Sequence, residues 1–434
     1  MTANRRRAAG TATVTALAVL LGGCASGSGD TGSDRDRKPA RDGDKGNRVA
    51  PRLLGDGSTS YTGRQPHQPT PAKLRPGQKP PQFVVFSWDG AGEDGNALFS
   101  RFRELGKKYD ASMTYFLSGI YLLPEDEQQR YLAPGRSPGA SDIGYLRGEN
   151  IRATLRQLRQ AWLDGSEIGT HFNGHFCGPE GVGSWSAEQW ESEISQAKWF
   201  VKNWKTTTGW KDLEALPFDY EKELIGGRTP CLEGRANLLP AARKMGFRYD
   251  SSGNGTQVWP GKEGGMWDLP LQQIPMPGRS FETLAMDYNF LANQSKTVNG
   301  PPAMHPAYER QMREGLLQGF TRAYEGNRAP MIIGNHFEQW NDGIYMDAVE
   351  DVIKEVCGKQ DVRCVSFRQL VDWLDEQDPQ VLRKLRTLQV GEKPARGWRT
   401  FLDPAAPTAP SAPAASTGPA VSTGPDASDA SRPS

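Results

Sequence analysis

Gly169-Thr170-His171-Phe172-Asn173-Gly174-His175 stands where a predicted strand, 166–170, runs out into a loop. Two imidazoles four residues apart converge on one divalent cation when the backbone between them is helical or tightly turned, and neutral imidazole is the commonest side-chain ligand for zinc and its neighbours. Alone, His-x-x-x-His also arises by chance on many helices. A third ligand has to come from elsewhere in a chain with only five histidines. The acidic candidate is Asp89, which ends the apolar run Phe83-Val84-Val85-Phe86-Ser87-Trp88.

Outward from these two stretches, strand-like and helix-like segments alternate. The run 83–87 suits a buried parallel strand, and 97–109 places Leu98, Phe102, Leu105 and Tyr109 at helical spacing. Further strands are expected at 112–117, 224–227, 248–251, 267–274, 331–334 and 362–366, with helices at 151–163, 186–204, 238–245, 308–324 and 346–356. Ser186 serves as the cap of its helix. Repeated β-then-α order predicts an α/β fold: a parallel sheet with right-handed crossovers, closed or nearly closed as a distorted (β/α) barrel over 82–378. Chemistry in such folds sits at the strand C-termini, where Asp89, His171 and His336 fall.

Both ends of the chain differ from this middle. Residues 1–23 read as a secretory signal, with Arg5-Arg6-Arg7 ahead of an apolar segment far short of the roughly 20 residues of a spanning helix. Leu21-Gly22-Gly23-Cys24 resembles the lipobox of bacterial lipoproteins, which implies that Cys24 is acylated and anchors the protein outside the cytoplasm at the cell membrane. Loss of 1–23 removes three arginines and no acids, taking the formal charge from +1 to −2, and no basic stripe suggests nucleic acid. No protein partner is predicted. Residues 24–81 are expected to be a disordered tether, 379–402 a C-terminal extension, and 403–434 a disordered tail rich in Ala, Pro, Ser and Thr.

With Cys24 lipidated, Cys177, Cys231, Cys357 and Cys364 remain, and three pairings are possible. Cys357 closes a helix and Cys364 lies on the next strand, so these two are paired, leaving Cys177 with Cys231. A four-thiolate zinc site is the alternative, although the spacing lacks any C-x-x-C.

Asp89-Gly90, His171-x-x-x-His175, Arg228-Thr229-Pro230, Trp267-Asp268 and Gly334-Asn335-His336, in that order, resemble the five motifs of the NodB-homology polysaccharide deacetylases, carbohydrate esterase family four. The stretch Gly246-Phe247-Arg248-Tyr249-Asp250-Ser251-Ser252 also resembles chitin-deacetylase-like members. The resemblance implies a deacetylase barrel that uses a divalent metal, zinc expected, to remove N- or O-acetyl groups from a glycan. It implies Asp89, His171 and His175 as metal ligands, His336 as general acid, and Arg228 and Asp268 as the pair that orients acid and base. One departure stands out. The family's first motif reads Thr-Phe-Asp-Asp-Gly, its first Asp the catalytic base and the partner of the motif's arginine, whereas Trp88 precedes Asp89 here.

Three functions follow as expectations. The first is a metal-dependent hydrolase that deacetylates a cell-wall or environmental polysaccharide by a metal-activated water, with His336 as acid and Glu93 or Asp94 as substitute base. The others are a non-catalytic relative that binds glycan or a surface partner, and a metal hydrolase of a non-sugar amide. For Glu93 and Asp94 the plain alternative is a solvated loop acid. Trp88, Trp267 and Trp340 are candidates for a sugar-stacking rim, with core packing as the alternative.

Overall fold

In the computed structural model the described residues are 51–403; the signal, Cys24 and all of the C-terminal tail but Asp403 lie outside them. Strand β3, Gln82–Asp89, follows the apolar run and is buried along its whole length. It is the centre of a parallel sheet in the order Met331–His336, β3, β4 (Thr114–Leu117), β5 (Glu167–Thr170), with Val362–Cys364 pairing on the first half of β3. Register aligns the chemistry. His336 is the Cα partner of Asp89, Asp89 pairs across with Phe116, and Leu117 pairs with Thr170, so Asp89, His171 and His336 all emerge at the C-terminal end of the sheet.

Alternation along β3 divides the core in two. Val84, Phe86 and Trp88 join the layer made with helices α1 (Leu98–Lys108), α2 (Gly148–Leu163) and α3 (Ala187–Lys202), while Phe83 and Val85 face an inner cluster with Phe116, Tyr249 and Ile332. Full burial of each such side chain contributes about 1.5–3 kcal/mol. Helix α3 starts at Ser186 with a reciprocal capping box to Gln189. The expected strand at 267–274 is two, Met266–Asp268 and Leu271–Pro275, and 224–227 is reduced to a single parallel bridge, Thr170 to Gly227. A second bridge joins Met286 to Gly334 at the opposite edge. The architecture is therefore α/β around a parallel sheet whose margins run on as isolated bridges, where a barrel was expected. No helix among the described residues is long and apolar enough to cross a membrane.

Residues 51–81 correct the expectation of a tether. They contain a hairpin, β1 (Arg52–Leu54) with β2 (Thr59–Tyr61), and are held by polar contacts together with the packing of Leu74 on the inner cluster. Ser60 N–H donates to Leu216 O at 2.8 Å, Trp204 Nε1 donates to Ser58 O at 2.8 Å, and Gln65 Nε2 donates to Ser166 O at 2.6 Å. Low aliphatic content hid this anchoring, because hydropathy does not register hydrogen bonds between distant segments. At the other end Leu382, Leu385 and Leu402 bury against the inner cluster.

Candidate metal and active site

Neighbouring residues of a strand point to opposite faces, and this sorts Trp88 from Asp89. The Trp88 ring is fully buried in the outer layer, stacked on Phe337 with centroids 4.7 Å apart and tilted against Phe102 at 4.2 Å. Trp88 is therefore a core residue; it neither fills the place of a base nor lines a rim. Asp89 faces inward with Ser87. The buried Arg228 guanidinium donates from Nη1 to Asp89 Oδ1 at 2.8 Å and to Ser87 Oγ at 3.0 Å, and from Nη2 to Ser251 Oγ at 2.8 Å. Burial alone would raise the Asp89 pKa. Arg228, followed by His171 and His336, outweighs it and holds the carboxyl below its usual range.

His171 follows β5 directly and sits 2.9 Å through Nδ1 from the carbonyl of Arg228. A carbonyl only accepts, so Nδ1 carries the proton and Nε2 presents its lone pair. That Nε2 is buried with no hydrogen-bond partner. Burial lowers the His171 pKa to about 3, so the ring is neutral and fit to ligate a cation. Positive φ at Phe172 (63°) and His175 (58°) makes a tight turn that brings the His175 ring centroid to 5.0 Å from that of His171. Burial lowers the His175 pKa as well. The bridge Cys177–Cys231, with Cα atoms 6.0 Å apart, ties the loop after His175 to the loop after Arg228, and Cys357–Cys364 is the second bridge, both as expected. One trio of ligand-type side chains among the described residues has its donor atoms within 4.8 Å of one another, His175, Cys177 and Cys231. Its sulfurs are oxidised to a disulfide and are not thiolate ligands. Asp89, His171 and His175 do not form such a trio.

His336 ends its strand beside Asp287. The His336 backbone N–H donates to Asp287 Oδ2 at 2.6 Å, and Nδ1 lies 2.8 Å from Oδ1 of the same fully buried carboxylate. Burial alone would lower the His336 pKa, but Asp287, and after it Asp89, push it up to about 9. His336 is thus held in its protonated, cationic form at neutral pH.

Asp268 does not share this place. Its carboxylate accepts from Arg235 Nη2 at 2.9 Å and lines a different cavity, of about 520 Å³, with Arg235, Gly253 and Trp259. The Trp267-Asp268 match rested on residue type, whereas Met266–Asp268 pairs with Tyr249–Asp250, away from Met331–His336. What stands next to the His336 strand is Met286, through the bridge to Gly334, so the residue after it, Asp287, is the partner. The signal was present: an acid directly after the apolar Leu284-Ala285-Met286.

Asp89, His171, His175 and His336 line one cavity of about 350 Å³. Glu93 and Asp94 line it too; each has one oxygen engaged locally, and Glu93 Oε1 is buried without a partner. Glu93 Oε2 accepts from the Ser100 N–H at 2.9 Å in helix α1, and Asp94 Oδ1 accepts from the Asn96 N–H at 2.8 Å. Of the proposed rim tryptophans, Trp340 alone reaches the cavity, its ring 5.4 Å from His336 and 6.1 Å from the half-exposed Tyr288. Trp267 is buried in the inner cluster and donates from Nε1 to Asp375 Oδ1 at 2.8 Å.

Solved structures of polysaccharide deacetylases resemble this chain. A candidate polysaccharide deacetylase from Mycobacterium smegmatis is 14% identical, over 71% of this chain and 97% of that one, with a TM-score of 0.41. A peptidoglycan deacetylase from Bacillus subtilis is 10% identical over 71% of this chain and 96% of its own, at 0.35. A carbohydrate esterase family four pseudoenzyme from Bacillus anthracis is 12% identical over 71% and 70%, also at 0.35. No protein-family model and no curated protein sequence matches the chain. With likeness of this size, the functional reading rests on the chain's own residues.

Proposed function

We propose that this protein is a metal-dependent hydrolase that removes N- or O-linked acetyl groups from a cell-wall or environmental polysaccharide. The observation that carries the reading is the buried, unpartnered Nε2 of His171 in the same cavity as an arginine-paired carboxylate and an aspartate-paired imidazolium. His171 and His175 would hold a divalent cation, zinc expected, which when bound supplies Lewis-acid polarisation of the acetyl carbonyl and acidifies water. Asp89, kept ionised by Arg228, is a proton acceptor at the cavity wall. His336 donates its Nε2 proton to the departing nitrogen or oxygen, and Asp287 keeps that imidazole charged and oriented. Trp340 and Tyr288 offer apolar faces at the mouth for a sugar ring.

The proposed scaffold is a distorted barrel. In its support, single hydrogen bonds pass from edge to edge of the sheet: Ser251 N–H to Gly227 O at 3.0 Å, Leu269 N–H to Asp250 O at 2.9 Å, Ala285 N–H to Gln272 O at 2.8 Å and Gly334 N–H to Ala285 O at 2.9 Å. The proposed location is outside the cytoplasm, tethered through lipid on Cys24, which agrees with two disulfides. The observation that favoured a glycan binder, tryptophan in place of a base, falls away because Trp88 belongs to the core. The test is acetate release by zinc-loaded protein from acetylated chitin oligomers, acetylxylan and peptidoglycan fragments. Release well above a His336→Ala control on one of them is expected; none above that control on any would leave a binding protein.

A further inference from the structure

The role of the cavity's one arginine-paired carboxylate can be decided by where the strand places it. Asp89 lies on the inner face of β3, and Oδ1 is taken up by Arg228. Its donor atoms and those of His171 and His175 do not gather within 4.8 Å of one another. The residue that leaves the strand toward the cavity is the next one, Gly90, with φ +65° and no side chain. A Cβ built there meets only ordinary contacts, Tyr121 Oη at 3.7 Å, its ring at 3.8 Å and Ser118 Oγ at 3.9 Å. Both of those residues line the same cavity as the two histidines, and Ser118 Oγ is itself buried without a hydrogen-bond partner. Position 90 therefore has space for a side chain beside an unsatisfied polar atom, in a backbone region that Asp and Asn enter more readily than other L-residues.

We infer that Asp89 is the proton acceptor of the site and not a metal ligand, that the cation is held by His171 and His175 as its only protein ligands, and that Gly90 is the position from which a third ligand is missing. This rests on the proposed hydrolase reading and sharpens it. Two imidazoles without a carboxylate bind a cation weakly and exchangeably, so the protein takes up metal from its surroundings and loses it on dialysis. The sequence expectation is thereby inverted: the base is present and the ligand carboxylate is absent.

The experiment is a competition titration of zinc and of cobalt against a chromophoric chelator, on wild type, Gly90→Asp and Asp89→Asn, with acetate release followed in parallel. A group that only hydrogen-bonds a ligand is already worth about 10- to 100-fold in metal affinity, so a new ligand in Gly90→Asp should tighten binding at least about tenfold. The cobalt visible spectrum should change with it. Asp89→Asn should leave affinity unchanged while acetate release falls by about 10²- to 10⁴-fold. Loss of affinity in Asp89→Asn with none gained in Gly90→Asp overturns the inference, as does the absence of measurable binding in both wild type and Gly90→Asp. If Asp89→Asn fails to fold, the glycine variant alone decides, because it leaves the Asp89–Arg228 pair intact. Metal affinities that behave as expected in a protein that releases no acetate would refute the hydrolase reading and leave the ligand assignment standing.

Discussion

Two of the cavities among the described residues differ in how their polar groups are met, and the larger is not the proposed site. In the one of about 520 Å³, Asp268 is paired with Arg235, which also holds Asp250 and Glu263, at 2.7–2.9 Å, and no lining side chain has a buried polar atom without a partner. The smaller, of about 350 Å³, holds three buried polar atoms with no partner, His171 Nε2, Ser118 Oγ and Glu93 Oε1. Unmet valence marks a reactive place better than volume does.

Substitutions can break this contrast in order of size. The greatest effect is expected at His336→Ala, where loss of the proton donor should lower kcat/KM for acetate release by about 10²- to 10⁴-fold with the fold intact by circular dichroism. Next comes Asp287→Asn. Because Asp287 acts through His336, its removal should move the alkaline limb of the pH–rate profile down from about 9 toward the ordinary 6.5. A mere packing role would leave that limb in place. In the other cavity Arg235→Met strands the buried Asp250 carboxylate, so stability should fall by about 1–3 kcal/mol in urea unfolding, with kcat/KM for acetate release close to wild type. A large catalytic loss there would erase the distinction.

The smallest expected effect is in stability against pH. Asp89, depressed in the fold, contributes stability that is present at neutral pH and is lost as pH falls through the carboxylate range to its own lowered value. His336, raised to about 9, contributes stability that is complete below the ordinary 6.5 and is lost as pH rises from there through about 9. Urea midpoints on either side of that alkaline window should differ in wild type and converge in Asp287→Asn.

Much of this was legible in the sequence because it depends on strand ends. The apolar run before Asp89, the two histidines after 166–170 and His336 after Met331-Ile332-Ile333 place themselves once a parallel sheet is granted, and both disulfides follow from the element order. Residue type does not disclose direction: Trp88, next to Asp89 in the chain, turns to the opposite layer because side chains alternate along a strand, and the acid that meets His336 is Asp287, not Asp268. The segment 51–81 escapes for another reason: its attachment includes hydrogen bonds to residues from 97 to more than 300 positions away, which no local composition reveals.

The central claim is that acetyl hydrolysis here requires a cation held by His171 and His175. Its most direct test is acetate release from an acetylated oligosaccharide by the full chain before chelation, after chelation, and after zinc is returned, beside His171→Ala. Activity abolished by the chelator, restored by zinc and absent in the variant is the predicted result; release that persists through chelation or survives in His171→Ala contradicts it.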